Sequence, residues 1–350
     1  MRFISTCFLF SVFLTACKKP VQPDAPDVSL DGGMLVLCEG LFQQNNSSIS
    51  WVDFDNEMVI NHFFEKKAGR QLGDTGNDMI RYGSKMYVVV NISSTVEVLS
   101  VKSGHSLAQI SMIEGAQAKQ PRSVAGGKGK LFVTCYDGYV DVIDTTTFEI
   151  ENRIPVGSNP EGIVYSNGKL FVSNSGGLNF PNYDSTVSVI DLASMTEIEK
   201  IAVGVNPGPI VVDHEGDVYV ISRGDYGAIP SRMHKIDPGT SSVTNFTFDA
   251  STLGVMNDRL LVGHTDFVGG ESSVALFDAA SESIMSSNWL NTNNATVYNL
   301  AYNPSNDRIY LSDAGDFSAA GYVHEYSSAG SLIRSFHVSI NPSKMVFFAP

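Results

Sequence analysis

The chain has 350 residues, 43% of them hydrophobic and 17% charged, a balance that excludes both a disordered chain and a polytopic membrane protein. Its 37 Asp and Glu outnumber its 23 Lys and Arg, leaving a net charge of −14 whose long-range field repels phosphate backbones and argues against nucleic acid as a partner. The 31 Gly and 14 Pro, set among Val, Ile, Tyr, Phe and Thr, predict short strands joined by tight turns, an all-β chain.

At the amino terminus, Arg2 precedes an apolar run through Phe3, Ile4, Phe8, Leu9, Phe10, Val12 and Phe13 that is too short to span a bilayer. It ends in Leu14-Thr15-Ala16-Cys17, which resembles the lipobox of bacterial lipoproteins. The resemblance implies a signal peptide over residues 1–16 and a lipid on Cys17 that anchors the chain to a membrane. Residues 17–33, rich in Pro and Asp early on, are expected as a tether, and residues 34–350 as the folded domain.

Two segments of that domain align almost without gaps. Lys130-Leu131-Phe132-Val133-Thr134 leads through Val140-Asp141-Val142-Ile143-Asp144 to Val156-Gly157-Ser158-Asn159-Pro160. Lys169-Leu170-Phe171-Val172-Ser173 leads through Val187-Ser188-Val189-Ile190-Asp191 to Val203-Gly204-Val205-Asn206-Pro207. The unit has four strands: A after the Asn-Pro, B as the Leu-Phe-Val run, C ending in Asp, and D before the next Gly. Strand B recurs seven times, near Met34, Met86, Leu131, Leu170, Val218, Leu260 and Ile309, at a spacing of roughly 40 to 50 residues that suits propeller blades. Asn167-Gly168, Glu215-Gly216, Asn257-Asp258 and Asn306-Asp307 mark A to B hairpin turns. Asp144, Asp191, Asp237 and Asp278 are expected to bond their own C to D turns. The first repeat opens on strand B, and Ile340 to Phe348 read as an Asn-Pro link and a lone strand A. A seven-bladed β-propeller follows, closed by pairing of the C-terminal strand with the first blade. Cys38 and Cys135 fall at equivalent positions of non-adjacent repeats and are expected as buried free thiols.

The Leu-Phe-Val, Val-x-Val-Ile-Asp and Val-Gly-x-Asn-Pro phrases resemble the YVTN or YncE-like family of β-propellers, most sharply over residues 121–222. No phosphate loop, zinc-type Cys pair or nucleophile elbow appears in a supporting context. The positions after strand B, taken as a ring around the channel, read Cys38, Val90, Cys135, Asn174, Ser222, His264 and Asp313. Propellers of the lactonase type bind a catalytic divalent cation in their channel, and Glu39, Asn174, His264 and Asp313 could imitate such a set. Val90, Cys38 and Arg223 suit a hard cation poorly, so the expectation is a chain with no catalytic residue, resident metal or cofactor.

The B to C loops are long in several repeats, combine aromatics with Asn, Gly and Asp, and emerge with the D to A links on one face. Loops on a rigid scaffold are where recognition is placed. The expected apolar plates are Phe42, Tyr136, Phe180, Tyr183, Tyr226, Phe267 and Phe317; the expected polar groups are Asn45, Asn91, Arg122, Asn174, Arg223 and Asp313. A tethered propeller with such a rim resembles the cobalamin-binding surface lipoproteins of Bacteroidetes (BtuG-like). That resemblance implies capture of a corrinoid, vitamin B12-like ligand at the outer membrane and its delivery to a TonB-dependent transporter. Lys18 and Lys19 stand where surface-exported lipoproteins have an acidic cluster, which leaves a periplasm-facing anchor open beside a cell-surface one. A glycan-binding or protein-docking propeller would use the same rim.

Overall fold

The computed structural model describes residues 30–266 and 270–349. Cys17, the signal segment, most of the tether and Phe267 lie outside the described residues. Seven four-stranded antiparallel sheets follow one another along the chain, each built in the order A-B-C-D. The A strands are Pro342–Phe348, Gly76–Tyr82, Pro121–Gly127, Pro160–Ser166, Pro207–Val212, Thr252–Met256 and Val297–Asn303, for blades 1 to 7. Each touches the A strand of the next blade, and the contacts run from blade 7 through blade 1 to blade 2, so the A strands form an unbroken inner ring.

Burial explains why the strands read as they do. Strand B sits between two neighbouring blades and is covered on both faces, so Lys130–Cys135 is buried from Leu131 onward and Gly33–Cys38 is buried throughout. A continuous apolar run therefore replaces the alternation of a half-solvated strand. The outer D strand has one face in water, and Thr196–Ala202 is mostly exposed. Clusters of buried side chains fill the wedges between adjacent blades, with Phe132, Leu170 and Ile190 in one and Phe171, Val218 and Ile236 in another.

Blade 1 takes its B, C and D strands from Gly33–Cys38, Ser48–Asp53 and Met58–Ile60, and its A strand from the carboxyl end. Leu35 faces Val346 and Val36 faces Met345 across the closing ladder, and Trp51 meets Phe348 edge-on at 5.8 Å. The packed fold starts before the expected end of the tether, because Leu30 is buried in the cluster that holds Trp51 and Phe63. Two links carry structure that the repeat pattern does not predict: a helix at Phe63–Ala68, with Phe63 and Phe64 buried, and a hairpin of Ile113–Glu114 with Gln117–Ala118. The hairpin's following residue Lys119 reaches the buried Asp141 at 2.8 Å.

The turn chemistry is local. Asp144 accepts the backbone N–H of Thr146 and Thr147, and Asp237 those of Gly239 and Thr240; the Lys130 ammonium together with its turn bonds holds the Asp144 carboxyl below its ordinary pKa, and the turn bonds do so for Asp237. Cys38 and Cys135 are buried free thiols, and burial raises the pKa of Cys38 to about 12.

Deleting residues 342–350 removes the blade 1 A strand and leaves Gly33–Cys38 as an unpaired edge. The expected outcome is a thermal midpoint lower by at least about 10 °C, since losing a paired, half-buried strand costs several kcal/mol. Deleting residues 18–28 should leave the midpoint within about 2 °C. Scanning calorimetry showing equal midpoints would contradict the closing role of the ladder.

Candidate ligand-binding site at the channel mouth

The A strand is the innermost strand, so its residues line the channel, joined at the mouth by residues one past the end of strand B such as Tyr136, Ser175 and Arg223. Of the seven positions expected as a ring after strand B, Cys38, Val90, Cys135, Asn174 and Ser222 are buried inside the blades, while His264 and Asp313 are half-buried. Asn174 is occupied there, accepting from Gly157 N and donating to Thr186 Oγ1 and Ser188 Oγ. Among the described residues no group of three or more His, Cys, Asp or Glu side chains is arranged to hold a metal ion.

The link phrase Val-Gly-x-Asn-Pro is a structural device that sets the channel mouth. A Cβ on Gly157 would stand 2.4 Å from Asn174, so only glycine lets this link pass over the end of strand B. Asn159 and Asn206 adopt φ of 45° and 58°, a left-handed turn that Asn tolerates. Asn159 Nδ2 also donates to Tyr136 O while its Oδ1 accepts from Leu178 N, tying two loops to the link. At their start, each of six inner strands holds one residue more than its partner, four of them just beyond a Pro. The register slips between Pro121 and Val124, Pro160 and Ile163, Pro207 and Ile210, Val297 and Asn299, and Gly76 and Asp78, and again where Pro342 and Lys344 oppose Cys38 and Leu37. Bulges of this kind re-aim side chains. Arg122, Glu161 and Tyr298 occupy them.

Arg122 Nη2 donates to Glu161 Oε1 at 2.5 Å, with the guanidinium 4.8 Å above the Tyr136 ring, and Tyr136 Oη donates to Glu161 Oε2 at 2.5 Å. In blade 5 the bulge residue is Gly208, and a Cβ there would lie 2.3 Å from the Arg223 guanidinium. The missing side chain admits Arg223 from the B to C loop, and its Nη2 comes within 3.4 Å of Glu161 Oε1. Across the mouth, Tyr298 Oη donates to Glu39 Oε2 at 2.8 Å. Burial opposes ionisation of Glu161, but the two guanidinium groups and the hydrogen bonds from Arg122 and Tyr136 outweigh it and hold its pKa at about 2. Burial raises the pKa of Glu39, against the Tyr298 hydrogen bond and the charge of Arg122.

Arg122, Tyr136, Glu161 and Arg223 line a cavity of about 320 Å³ together with Ser175, Leu178, Tyr183, Asn206 and Tyr226. On its lip stands an aromatic strip: Phe180 meets Tyr183 edge-on at 6.0 Å, and Tyr183 meets Tyr226 at 6.3 Å. Phe180 is 75% and Tyr226 73% exposed. The loops bearing them are fixed by their own backbone bonds, with Asp225 Oδ1 accepting from Gly227 N and Ile229 N, and Ser175 Oγ donating to Asn159 O. A larger hollow of about 550 Å³ lies between the D strands of blades 3 and 4. Its charged residues are already paired, Arg153 with Asp137 and Asp141 and Lys200 with Glu197. The convergence of buried charge and exposed aromatics favours the smaller cavity.

Five of the expected site residues, Arg122, Tyr136, Tyr183, Arg223 and Tyr226, line this cavity, and Phe180 extends its lip. The others are elsewhere. Phe42 and Asn45 lie on the exposed blade 1 loop, where Asn45 bonds Asp74 and Gln71. Asn91 is buried and donates to Pro121 O. Asp313 accepts from Thr296 N and Gly315 N within blade 7, and Phe317 packs edge-on against Tyr298 at 5.7 Å. The sequence reading missed Glu161, Tyr298 and Asn206. The residue after Asn-Pro was the available signal for Glu161, once strand A is recognised as the inner strand.

Residues 32–347 match the family described as "Domain of unknown function (DUF5074)". A search of curated proteins gave no match. Among solved structures, the chain is similar to a quinonprotein alcohol dehydrogenase-like protein from Bacteroides thetaiotaomicron, with a TM-score of 0.68, 13% identity, and coverage of 92% of this chain and 79% of that one. It is similar to a putative 6-phosphogluconolactonase from Bacteroides uniformis, with a TM-score of 0.64, 11% identity, and coverage of 91% and 100%. Hydrazine synthase of Kuenenia stuttgartiensis matches with a TM-score of 0.64 and 17% identity, over 77% of this chain and 88% of that one. At these identities the likeness is one of fold.

The depressed pKa of Glu161 gives a pH signature. A carboxyl that titrates near 2 when folded and near 4.5 when unfolded contributes stability that is complete above about pH 4.5 and is lost as pH falls toward 2. Glu161→Gln is therefore expected to be less stable than the wild type by about 3 kcal/mol at pH 7. The gap should narrow between pH 4.5 and 2, as followed by urea unfolding across that range. A gap independent of pH would show that the carboxylate is not the stabilised species.

Proposed function

We propose that this chain, which belongs to the DUF5074 family, is a non-catalytic ligand-capture propeller that takes a corrinoid on the face formed by its B to C loops and D to A links. The observation that carries this reading is the aromatic strip of exposed Phe180 and Tyr226 flanking half-buried Tyr183 on the lip of a charged cavity. A corrin is a broad apolar disc fringed with amides. A cavity of about 320 Å³ is too small to enclose it, so the disc lies on the aromatic strip and its edge substituents reach down to Asn206, Arg223 and Arg122. Aromatic contacts contribute about 0.5–1.5 kcal/mol each beyond the area they bury, and a rigid rim holds the loss of entropy on binding low. The lipid anchor at Cys17 and the hand-over of the ligand to a TonB-dependent transporter in the outer membrane belong to the same proposal. Glycan binding is the second reading, because a sugar also stacks on exposed Tyr and Phe beside polar groups.

Absorbance titration with cyanocobalamin tests it. Binding is expected at micromolar protein or below, and Tyr183→Ala with Tyr226→Ala should weaken it at least tenfold, about 1.4 kcal/mol, with little change in melting temperature. Thr146→Ala, in a C to D turn at the opposite end of blade 3, should leave affinity unchanged. No spectral change and no heat of binding would overturn the corrinoid reading and direct the same variants to a glycan array. For the anchor, Cys17→Ser should shift the protein out of the membrane fraction; membrane retention with normal cleavage would refute lipidation.

A further inference from the structure

The guanidinium groups at the cavity floor share one carboxylate, while Glu39, the other acidic group whose charge acts on Arg122, is hydrogen-bonded to Tyr298 instead. Among the described residues, Glu161 is the carboxylate hydrogen-bonded to both Arg122 and Arg223. Its Oε1 is shared between the two guanidinium groups, at 2.5 and 3.4 Å, and its Oε2 is taken by Tyr136. Arg122 Nε is buried with no hydrogen-bond partner, and a buried donor left without an acceptor is costly. Gly208 is the inner-strand position at which a side chain would have displaced the Arg223 guanidinium. The fold thus brings a second cation to a carboxylate already engaged by the first, at the floor of a cavity walled by Tyr136, Tyr183 and Tyr226.

We infer that the space beside Arg122 and Arg223 is an oxyanion subsite, which takes a singly charged carboxylate or phosphodiester carried by a ligand whose apolar body rests on the tyrosines. Planar guanidinium groups present paired N–H donors that match either oxyanion and bind it far better than an ammonium does. Glu39, held by Tyr298 on the other side of the mouth, and Glu161 itself repel a second negative charge, so the subsite favours monoanions over dianions. This deepens the reading of the face as a ligand site. A corrinoid that keeps its nucleotide loop carries one phosphodiester, whereas one lacking the loop does not.

The test uses the full chain, benzoate and diethyl phosphate as separate probes, inorganic phosphate well above its second pKa of about 7, where it is a dianion, as control, and cobalamin beside cobinamide, all by calorimetry. Arg223→Met is the informative variant. Arg223 is half-exposed and makes the longer of the two contacts, so Glu161 keeps Arg122 and Tyr136, and an unchanged melting temperature certifies the fold. Benzoate or diethyl phosphate should bind the wild type, whichever binds tighter identifying the oxyanion. Arg223→Met should lose at least tenfold, Arg223→Lys should recover part of the loss, and inorganic phosphate should bind more weakly than its diester. Cobalamin should bind more tightly than cobinamide, and only cobalamin should respond to Arg223→Met. Equal affinity of both corrinoids, unchanged by Arg223→Met, would overturn the subsite while leaving corrinoid capture standing. Arginine-dependent binding of a small anion with no binding of either corrinoid would support the subsite and overturn the corrinoid reading. No binding by any probe would overturn both.

Discussion

The antiparallel ladder between Gly33–Cys38 and Pro342–Phe348 is the constraint on which everything else rests, because it turns a row of sheets into a ring. An open row would present two edges and let its blades splay, whereas the closed ring presses each A strand against the next. That compression sets the spacing of the channel mouth. Arg122 and Glu161 start adjacent A strands, so their contact is a direct reading of the distance between blades 3 and 4. A partly buried ion pair of this kind adds little net stability against an apolar substitute, but losing one partner strands the other. It acts as a gauge of register more than as a source of cohesion.

The recurring bulge beyond the link converts this regular ring into an irregular site. Six inner strands make the same excursion, and the residues that occupy it range from Ser343 and Asn77 through Arg122, Glu161 and Tyr298 to Gly208. One backbone geometry presents several chemistries toward the mouth, and the absent side chain at Gly208 is filled by Arg223 from a neighbouring loop. Polarity concentrates on the side of blades 3 to 5. The aromatic strip rises over the same blades, since the loops of blades 4 and 5 are the ones that carry Phe180, Tyr183 and Tyr226. Blades 1 and 7 contribute Glu39 and Tyr298 and limit the site from the far side.

Elsewhere the polar groups of the repeat are spent on the fold. The Asp at the end of strand C bonds its own turn in blade after blade, and the link Asn ties neighbouring loops together. Asp313, Asn91 and Asn174 belong to this class, which is why residue type and loop position alone made them resemble binding groups. Their partners are backbone N–H and C=O groups or neighbouring hydroxyls several residues away, and those partners become visible only when the strands are paired.

The amino-acid sequence by itself determined the architecture. A four-strand unit repeated seven times, unmatched strands at both ends and turn residues at fixed offsets leave one closed solution, because each repeat can bury its apolar strands only against its neighbours. It also marked the face, since loops and links alternate with turns along every unit. It did not determine which loops meet. The helix at Phe63–Ala68 and the hairpin at residues 113–118 sit in links outside the repeat. The site depends on a one-residue bulge that leaves no trace in the hydrophobic pattern. Residues 122, 136, 161, 223 and 226 come together because ring closure fixes how far apart adjacent blades stand, a distance that periodicity along the chain does not encode.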